Sequence, residues 1–445
     1  MSSTSTQNLR EHWQTLWQDI EQAGGRYQYV QQQLVTQGFL VERRPIDDMS
    51  KAERQRYKAM LKKEAAEEKK LKKDAWQAYK SQHIVYLGRH IYWSDDHSAD
   101  KWDVTDGERR RVSNQLPVLT QPKELAAALN LSIAQLKGLC YQREVATHVP
   151  YTHFSIQKRR GGTREIWSPI PTLKTAQRWI LHHILEQLPT HGAAHGFVSG
   201  RSIVTNAEVH SDSAVLIKLD LKDFFPTIHW RRAKGVFRQA GYPESIATLL
   251  ALLCSESPRQ MVQQNGVTYY VALADRALPQ GAPTSPALSN IVCVNMDRRL
   301  TGLADKHGLR YSRYADDLTF SLPSSSAADS DAQNAMIGLL LGSVYKIVKE
   351  EGFVLNTDKT SIVCTGQQQN VTGMVVNGEG APRVPRRIKR MLRAAIHNLQ
   401  AGKPLHDGES LATLSGYAAW IASAEPELGR RYLEQLEALA KATPA

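Results

Sequence analysis

The sequence predicts an α+β fold with a helical extension at its N-terminal end and a helical region at its C-terminal end. Residues 8 to about 38 carry apolar side chains three and four apart, and a highly charged helical pattern follows to residue 82. From about residue 150 to 376, patterns typical of strands alternate with helical patterns. Three amphipathic helices then fill most of residues 385–442. Together these observations predict a mixed α and β region between two helical ones.

The N-terminal region, residues 1–115, is the predicted helical extension. In its charged segment, residues 47–82, many Glu and Lys side chains lie three and four residues apart, which supports a solvated helix. The same lysines could instead lie along a phosphate backbone. Residues 95–115 are polar and lose periodicity, so we expect a linker there. The extension is therefore expected to bind RNA or a partner, or to form a solvated helix.

Composition limits the class of protein. The chain has 445 residues, a formal net charge of +12 and a pI near 9.4, which favours a polyanionic partner. Its four cysteines lie far apart with no CxxC spacing, which argues against a zinc knuckle or a disulfide framework. The longest apolar run, from Ile246, is too short to span a bilayer, and the first residues lack a secretory pattern. We therefore expect a cytoplasmic protein with no membrane contact.

Two adjacent aspartates occur in the stretch RYSRYADDLTFS, residues 310–321. Asp316 and Asp317 lie between two short runs of β-favouring residues, so we expect them at the crest of a hairpin. Asp is a common turn residue, and a polar turn is one interpretation. A metal-binding pair is the other, because bound cations would relieve the repulsion between the two charges.

A third aspartate interrupts the apolar run AVLIKLDL, which predicts a buried strand. A carboxylate there is costly unless a cation neutralises it, so Asp220 is either an ion-pair partner or a metal ligand. With Asp316 and Asp317, it could hold two divalent cations about 4 Å apart. Magnesium suits carboxylate and phosphate oxygens. The three aspartates therefore predict two-metal chemistry at a phosphate.

Seven motifs follow one another along the chain: HFSIQKRRGGTREIWSPIP, GFVSGRSIVTNA, IKLDLKDFFPTIH, LPQGAPTSPALSNI, YADD, NTDKT and VTGMVVN. Their order resembles that of the reverse transcriptases over roughly residues 120–440. The resemblance implies a right-hand polymerase, with fingers and an antiparallel-sheet palm in residues 116–376 and a helical thumb in residues 377–445. It also implies an enzyme, an RNA-directed DNA polymerase.

Two short elements resemble bacterial retron reverse transcriptases in particular. NAEVH, from Asn206 to His210, matches their NAxxH element, which precedes the first catalytic aspartate. VTG, from Val371 to Gly373, matches an element that follows the palm. The long N-terminal region departs from the shorter retron enzymes, so the resemblance implies nothing about its role.

The resemblance implies roles for four residues in catalysis. Asp220, Asp316 and Asp317 would hold two Mg²⁺ ions, with Mn²⁺ as a possible alternative. Lys359, in NTDKT, would protonate the leaving pyrophosphate. Considered alone, Lys359 is typical of an ordinary surface lysine.

Four more residues would bind the incoming nucleotide. Lys158 and Arg164 flank a predicted basic hairpin turn and would neutralise the triphosphate, or else form a solvated basic hairpin. Phe225 would be the steric gate under the sugar that favours deoxynucleotides, or a core phenylalanine. Gln280 would lie against the nucleotide.

Five residues are predicted to bind RNA or DNA. Asn206 and His210 are assigned to nucleic acid through the NAxxH element. Arg386, Arg387 and Arg390 lie on the helix of residues 385–402, whose apolar side chains fall on another face. That division suits a thumb that packs inward and grips duplex phosphates outward.

The retron resemblance implies that the enzyme copies part of a structured noncoding RNA into short single-stranded DNA, giving a branched RNA–DNA product in anti-phage defence. Its partners would be that RNA as template and primer, the DNA product, dNTPs, an effector protein and a host ribonuclease H. Three alternatives stay open: a group II intron-like or other defence-associated reverse transcriptase, an RNA-dependent RNA polymerase, and an RNA-binding scaffold with an unused polymerase site.

Overall fold

The computed structural model describes residues 13, 15–40, 46–91, 106–157, 161–326, 330–378, 380–405 and 409–442. By its internal contacts the chain divides into two compact units, Met1–Tyr79 and Lys80–Ala445. None of the helices in these described ranges combines the length and the apolar content needed to cross a membrane.

The first unit is helical in its described part. After a helical segment over residues 15–22, α1 covers Arg26–Thr36 and α2 covers Lys51–Gln82. No side chain of α2 is buried. Ion pairs four residues apart, such as Lys72 with Glu68 at 2.6 Å, stabilise the helix along its surface. The charged helix predicted from the sequence is confirmed.

The second unit begins with residues that already belong to its main core. Ile84, Leu87 and Ile91 are buried and pack in the same cluster as the strands and helices that follow. Division of the chain into an extension and a polymerase at residue 115 stays a prediction.

Short helices and strands form the start of this unit. They are α3 (Gly107–Ser113), α4 (Pro122–Ala128), α5 (Ile133–Cys140), β1 (Val145–Ala146), β2 (Tyr151–Gln157) and β3 (Thr163–Pro169). Ser132 caps the N-terminus of α5, where its Oγ accepts the backbone N–H of Gln135 at 3.2 Å. β2 and β3 form an antiparallel hairpin.

The middle of the unit alternates between helices and strands, as predicted. In order the elements are α6 (Pro171–His183), α7 (Ile203–Glu208), β4 (Ser213–Asp220), α8 (Phe224–Thr227), α9 (Trp230–Gln239), α10 (Glu244–Leu253), β5 (Arg259–Gln264), β6 (Val267–Ala272), α11 (Ser285–Val292), α12 (Val294–Lys306), β7 (Arg310–Tyr314), β8 (Asp317–Pro323) and α13 (Ser330–Glu350). Single turns of 3₁₀ helix cover Leu185–Gln187, Ser324–Ser326 and Thr357–Lys359.

The last elements are short strands and three helices. They are β9 (Ser361–Cys364), β10 (Asn370–Val371), β11 (Met374–Val375), α14 (Arg386–Gln400), α15 (Leu411–Ala424) and α16 (Pro426–Ala442). The three amphipathic helices predicted from the sequence are confirmed.

The central sheet has four antiparallel strands in the order β7-β8-β4-β9. β4 lies inside the sheet, and all of its side chains except Lys218 are buried, as the apolar run predicted. Its alternate side chains enter two different cores. Val215, Ile217 and Leu219 join the main cluster, whereas Leu216 joins a second cluster with α14, α15 and α16. The sheet therefore connects the body of the unit to its C-terminal helices.

Candidate active site

The hairpin of β7 and β8 carries Asp316 and Asp317 at its crest. Tyr314 pairs with Asp317 across the ladder, so Ala315 and Asp316 form a two-residue turn. Ala315 has a φ of 56°, the left-handed conformation that is typical of such turns. The conformation is costly for a residue with a side chain and persists where surrounding contacts hold it. The predicted hairpin is confirmed.

A buried arginine supplies that support. The guanidinium of Arg313 donates to both carboxylate oxygens of Asp297, at 2.8 and 2.7 Å, and both residues are fully buried. Its Nη1 also donates to the carbonyl oxygen of Ala315 at 3.1 Å and to Oδ1 of Asn290 at 3.0 Å. The ion pair therefore fixes the turn residue that precedes Asp316. Sequence reasoning missed this pair, because Asp297 lies on α12 and no local pattern links it to the hairpin.

The three predicted aspartates are brought together by strand pairing. Asp220 ends β4 and is the register partner of Asp317 on β8. The backbone N–H of Leu221 donates to the carbonyl oxygen of Asp316 at 2.9 Å, which ties the end of β4 to the turn. Asp220 is only 7% exposed, Asp316 is half-buried and Asp317 is exposed.

Two side chains hold the carboxylate of Asp220. Nζ of Lys359 donates to Oδ1 at 2.8 Å, and Nδ2 of Asn356 donates to Oδ2 at 3.2 Å. The hydrogen bond to Asp220 raises the pKa of Lys359, so the lysine stays charged. Asn356 was not singled out from the sequence, although it begins the NTDKT motif that contains Lys359.

The paired aspartates are hard to ionise together. Partial desolvation, followed by the charges of Asp316 and Asp220, raises the pKa of Asp317 to about 6. Desolvation also raises the pKa of Asp316, with the charge of Asp220 adding to it. A cation at this position would favour both charged forms.

The carboxylate oxygens of the three aspartates suit a magnesium ion whose remaining ligands are water and substrate oxygens. Within the described residues, no group of three His, Cys, Asp or Glu side chains is arranged to hold a metal ion by itself. Magnesium, however, keeps several waters and takes one or two carboxylates together with phosphate oxygens. The carboxylates of Asp220, Asp316 and Asp317 offer such oxygens beside one another. The two-ion site therefore stays a prediction, and the chemistry of its ligands is compatible with it.

The hairpin of β2 and β3 faces this site with a positive charge. Arg164 is exposed near the start of β3, opposite Ile156. Its charge acts against the rise in the pKa of Asp316, which puts it within electrostatic reach of the carboxylates. Lys158, the second predicted triphosphate ligand, lies outside the described residues.

The loop that carries Gln280 packs on the same hairpin. The carbonyl oxygen of Gln280 accepts the backbone N–H of Trp167 at 2.8 Å, and the Gln280 side chain is half-buried. The next residue, Gly281, has a φ of +120°, and a Cβ there would lie 2.8 Å from the carbonyl oxygen of Trp167. Only glycine permits this close approach, so the loop and β3 hold Gln280 in a fixed place.

Phe225 lies just after Asp220 with its ring partly exposed. Phe224 is buried in the main core, and its ring centroid lies 5.4 Å from that of Phe225. Phe225 packs against the edge of that core. The two rings therefore differ in burial, and the partly exposed ring leaves the steric-gate role as a prediction.

Asn206 and His210 are brought to the sheet rather than to the surface. His210 is fully buried, with Nε2 2.7 Å from Oγ of Ser312 and Nδ1 2.8 Å from Oγ of Ser321. Oγ of Ser312 donates to Oδ1 of Asn206 at 2.8 Å, and Asn206 is 1% exposed. Burial lowers the pKa of His210 to about 3, so its imidazole is neutral. This placement offers neither side chain to nucleic acid, and the two instead hold α7 against β7 and β8.

The VTG element forms the turn between β10 and β11. Val371 pairs with Met374, so Thr372 and Gly373 make the turn, with φ values of 46° and 86°. Oγ1 of Thr372 donates to the carbonyl oxygen of Ile203 on α7 at 2.9 Å. Gly373 faces the ring of Trp420 on α15, where a Cβ would lie 3.4 Å away. The element therefore joins α7, which carries Asn206, to the C-terminal helices.

The predicted arginines of α14 are exposed. Arg386, Arg387 and Arg390 all lie on the outer surface of the helix, and Ile388 and Leu392 are buried on its other face. Arg390 also lines an open groove with Arg393, Ala394, His397 and Asn398. The predicted division of the helix into apolar and basic faces is confirmed, and contact with nucleic acid stays a prediction.

Comparison with known families agrees with this arrangement. The family model of reverse transcriptase (RNA-dependent DNA polymerase) matches residues 156–376, which contain the three aspartates and the hairpin of β7 and β8. The matched range begins in β2 and ends just after β11.

Individual relatives extend the similarity beyond that range. The Retron Mx162 reverse transcriptase of Myxococcus xanthus is 46% identical over 433 residues, 96% of this chain and 89% of that protein. The Retron Mx65 reverse transcriptase of the same organism is 37% identical over 329 residues, 74% of each chain. Among solved structures, the telomerase of Candida albicans in complex with a fragment of telomeric RNA matches at 14% identity and a TM-score of 0.40, covering 65% of this chain and 54% of that one.

Proposed function

The chain belongs to the retron reverse transcriptases, which are RNA-directed DNA polymerases, and from that membership we propose that it copies a structured noncoding RNA into short single-stranded DNA. The fold is the right-hand polymerase fold that the motifs predicted. One observation supports the chemistry most directly: strand pairing sets Asp220 opposite Asp317, with Asp316 in the adjoining turn.

In the proposed mechanism, Asp220, Asp316 and Asp317 would hold two magnesium ions, or manganese. When bound, such ions activate the attacking hydroxyl and stabilise charge on the leaving pyrophosphate. Asn356 keeps the Asp220 carboxylate in one orientation. Lys359, already charged at this carboxylate, delivers a proton to the pyrophosphate as it leaves.

The nucleotide is held by residues around these carboxylates. Arg164 neutralises the triphosphate, together with Lys158, which the sequence predicts for the same role. Gln280 lies against the nucleotide from a loop that its own backbone fastens to β3. The partly exposed ring of Phe225 sits under the sugar and selects deoxyribose.

Nucleic acid is held farther along the molecule. Arg386, Arg387 and Arg390 bind phosphates of the template–product duplex from the exposed face of α14. Asn206 and His210 serve RNA binding indirectly, because their buried hydrogen bonds fix α7 and through it the VTG turn.

The proposal includes partners that rest on family resemblance. The RNA acts as both template and primer, so the DNA product stays branched to it. A host ribonuclease H trims the template, and an effector protein works with the enzyme in anti-phage defence. Its place of action is the cytoplasm.

Synthesis by the purified full-length protein tests the polymerase chemistry. With a primed RNA template and magnesium, we expect incorporation of dNTPs and not of NTPs. The double variant Asp316→Asn with Asp317→Asn should lose synthesis and keep the wild-type circular dichroism spectrum and RNA affinity. Synthesis by that variant near the wild-type rate would contradict the metal assignment.

The retron product needs a test of its own. Nucleic acid is extracted from cells that express the gene with its flanking DNA, and is treated with ribonuclease or left untreated. We expect a short DNA whose electrophoretic mobility increases after ribonuclease, because RNA is attached to it. DNA whose mobility is unchanged would point to another class of reverse transcriptase.

A further inference from the structure

The charged helix α2 carries a row of lysines that the polymerase site does not use. Within its sequence, lysines recur at alternating spacings of seven and four residues, at Lys51, Lys58, Lys62, Lys69 and Lys73. At 3.6 residues per turn these positions fall within an arc of about 60° on the helix surface, and they extend over about 33 Å. All five side chains are exposed. We call this row the lysine stripe.

Charges on α2 are separated by face. Its acidic residues lie on the half of the helix away from the stripe and comprise Glu53, Glu64, Glu67, Glu68 and Asp74. Where they form ion pairs with neighbouring lysines, Lys63–Glu67 and Lys72–Glu68, those lysines lie outside the stripe. A helix stabilised only by its own ion pairs would mix the two signs. The segregation therefore leaves one face with a concentrated positive charge.

The stripe is unfavourable for the helix alone. Lys58 and Lys62 are four residues apart, as are Lys69 and Lys73, and like charges at that spacing repel. A polyanion lying along the face would relieve this repulsion. A membrane surface fits less well, because the opposite face mixes Met60 and Leu71 with carboxylates instead of forming an apolar face.

An aromatic pair ends the stripe. Trp76 lies on the same face as the lysines, is 49% exposed, and stacks on Tyr79 with ring centroids 5.7 Å apart and planes within 8°. Exposed stacked rings next to lysines offer a platform for an unpaired base. A nucleic acid that places phosphates along the stripe and an unpaired base on Trp76 would be a base-paired stem with a single-stranded end.

We propose that α2 is an RNA-binding surface, in which the lysine stripe follows the phosphate backbone of an RNA stem and Trp76 stacks on an adjoining unpaired base. We choose RNA as the bound polymer because the enzyme is directed by RNA. The surface also offers lysines for the phosphates of a stem and an aromatic ring for an unpaired base, and a folded RNA contains both. The inference goes beyond the proposed function, since RNA binding by α2 is measurable when no DNA is made.

The test uses full-length protein carrying Asp316→Asn and Asp317→Asn, so that affinity is measured without synthesis. The probe is a labelled RNA hairpin of about 20 base pairs, either blunt or with a single-stranded tail. The stripe variant consists of Lys58→Gln, Lys62→Gln and Lys69→Gln. The control variant removes the same charge from the flank of α2 and consists of Arg56→Gln, Lys63→Gln and Lys70→Gln.

For the stripe variant we expect weaker binding to both hairpins, with the slope of log affinity against log salt reduced by about 3, close to one per lost phosphate contact. The control variant should change the slope by less than about 1. Unchanged slopes, or equal losses in the two variants, would overturn the stripe as a binding face. Tighter binding of DNA hairpins of the same sequence would overturn RNA as its occupant.

Trp76→Leu tests the stacking platform separately. We expect about tenfold weaker binding to the tailed hairpin and unchanged binding to the blunt one, because only the tail offers an unpaired base. Tyr27→Leu, at an aromatic residue of α1 that is 77% exposed, controls for loss of an exposed ring. Equal effects of Trp76→Leu on both hairpins would contradict base stacking. Circular dichroism checks that every variant keeps its helix content.

Discussion

Arg313 lies at the end of β7, where its guanidinium joins α12 to the turn that carries Asp316. A buried ion pair of this kind contributes little net stability compared with an apolar pair, but removing one partner leaves a buried charge uncompensated. The two effects, on stability and on the geometry of the turn, can therefore be separated by mutation.

Arg313→Met should destabilise the protein by about 3–5 kcal/mol, because Asp297 is left buried without its cation. The double variant Arg313→Met with Asp297→Leu should recover most of that free energy of unfolding, measured in urea. Both variants should have a kcat below that of the wild type, because the carbonyl oxygen of Ala315 no longer accepts a hydrogen bond from the Arg313 guanidinium. A double variant with wild-type kcat would show that the turn needs no such bond.

His210 gives stability a pH dependence of known sign. Burial lowers its pKa to about 3, against about 6.5 in the unfolded chain. Between these values the unfolded state binds the proton and the folded state does not, so stability falls as pH falls below about 6.5.

From pH 7.5 to pH 5, His210 should therefore cost the wild-type protein about 2 kcal/mol of unfolding free energy. His210→Gln lacks the titrating group, so its unfolding free energy should fall by about 2 kcal/mol less than that of the wild type over the same pH range. Urea unfolding of both proteins at the two pH values measures the difference. Parallel losses would mean that His210 is not buried as a neutral imidazole.

At the residue scale, the sequence predicted that three aspartates belong together, but it could not show which polar side chains are buried. Asp220, Asp316 and Asp317 could be grouped because three carboxylates in strand and turn patterns can together hold divalent cations. Asn206 and His210 were assigned to nucleic acid through the NAxxH element, and the sequence does not show that serines on β7 and β8 form hydrogen bonds with them.

Among the elements, α14 shows most clearly what periodicity can predict. Its apolar positions recur at four-residue spacing, and the structure buries Ile388, Leu392 and Ile396 together. β4 was predictable from its apolar run, which predicts a buried strand. The pairing of β4 with β8 and β9 was not, because register depends on contacts between distant segments.

Opposite faces of α14 should respond differently to mutation. Leu392→Ala removes a fully buried side chain and should cost about 2–5 kcal/mol of stability. Arg390→Ala, on the exposed face, should change stability by less than about 0.5 kcal/mol. It should instead weaken binding to an RNA–DNA duplex and lower the salt slope by about 1.

Urea unfolding and duplex binding of the two variants provide the measurements, each variant serving as the control for the other. A loss of stability in Arg390→Ala comparable to that in Leu392→Ala would contradict the assignment of the faces.

At the scale of the whole molecule, the two hydrophobic cores found among the described residues are built from positions after 83. The division into two units at Tyr79 follows the same pattern. Composition alone placed a linker at residues 95–115, because they are polar, but α3 (Gly107–Ser113) lies in that range. Composition also could not show that Ile84 and Leu87 are buried.

A chain of residues 80–445 should therefore fold cooperatively by itself. We expect its thermal unfolding midpoint to lie within a few degrees of the full-length value, because every residue of both cores is retained. A chain that begins at residue 93 would lack Ile84, Leu87 and Ile91, and should unfold at a clearly lower temperature. Equal midpoints for the two shortened chains would contradict the placement of these residues in the core.

The hydrogen bond between Thr372 and Ile203 has a consequence for how relatives can be recombined. It fixes the VTG turn against α7, which carries Asn206 of the NAxxH element, although more than 160 residues separate the two along the chain. Gly373, in the same turn, packs on the ring of Trp420 in α15. A chimaera that exchanges thumbs between two retron enzymes would need to take the turn and the helix from the same parent. Natural variation at one of these elements should be inherited together with variation at the other.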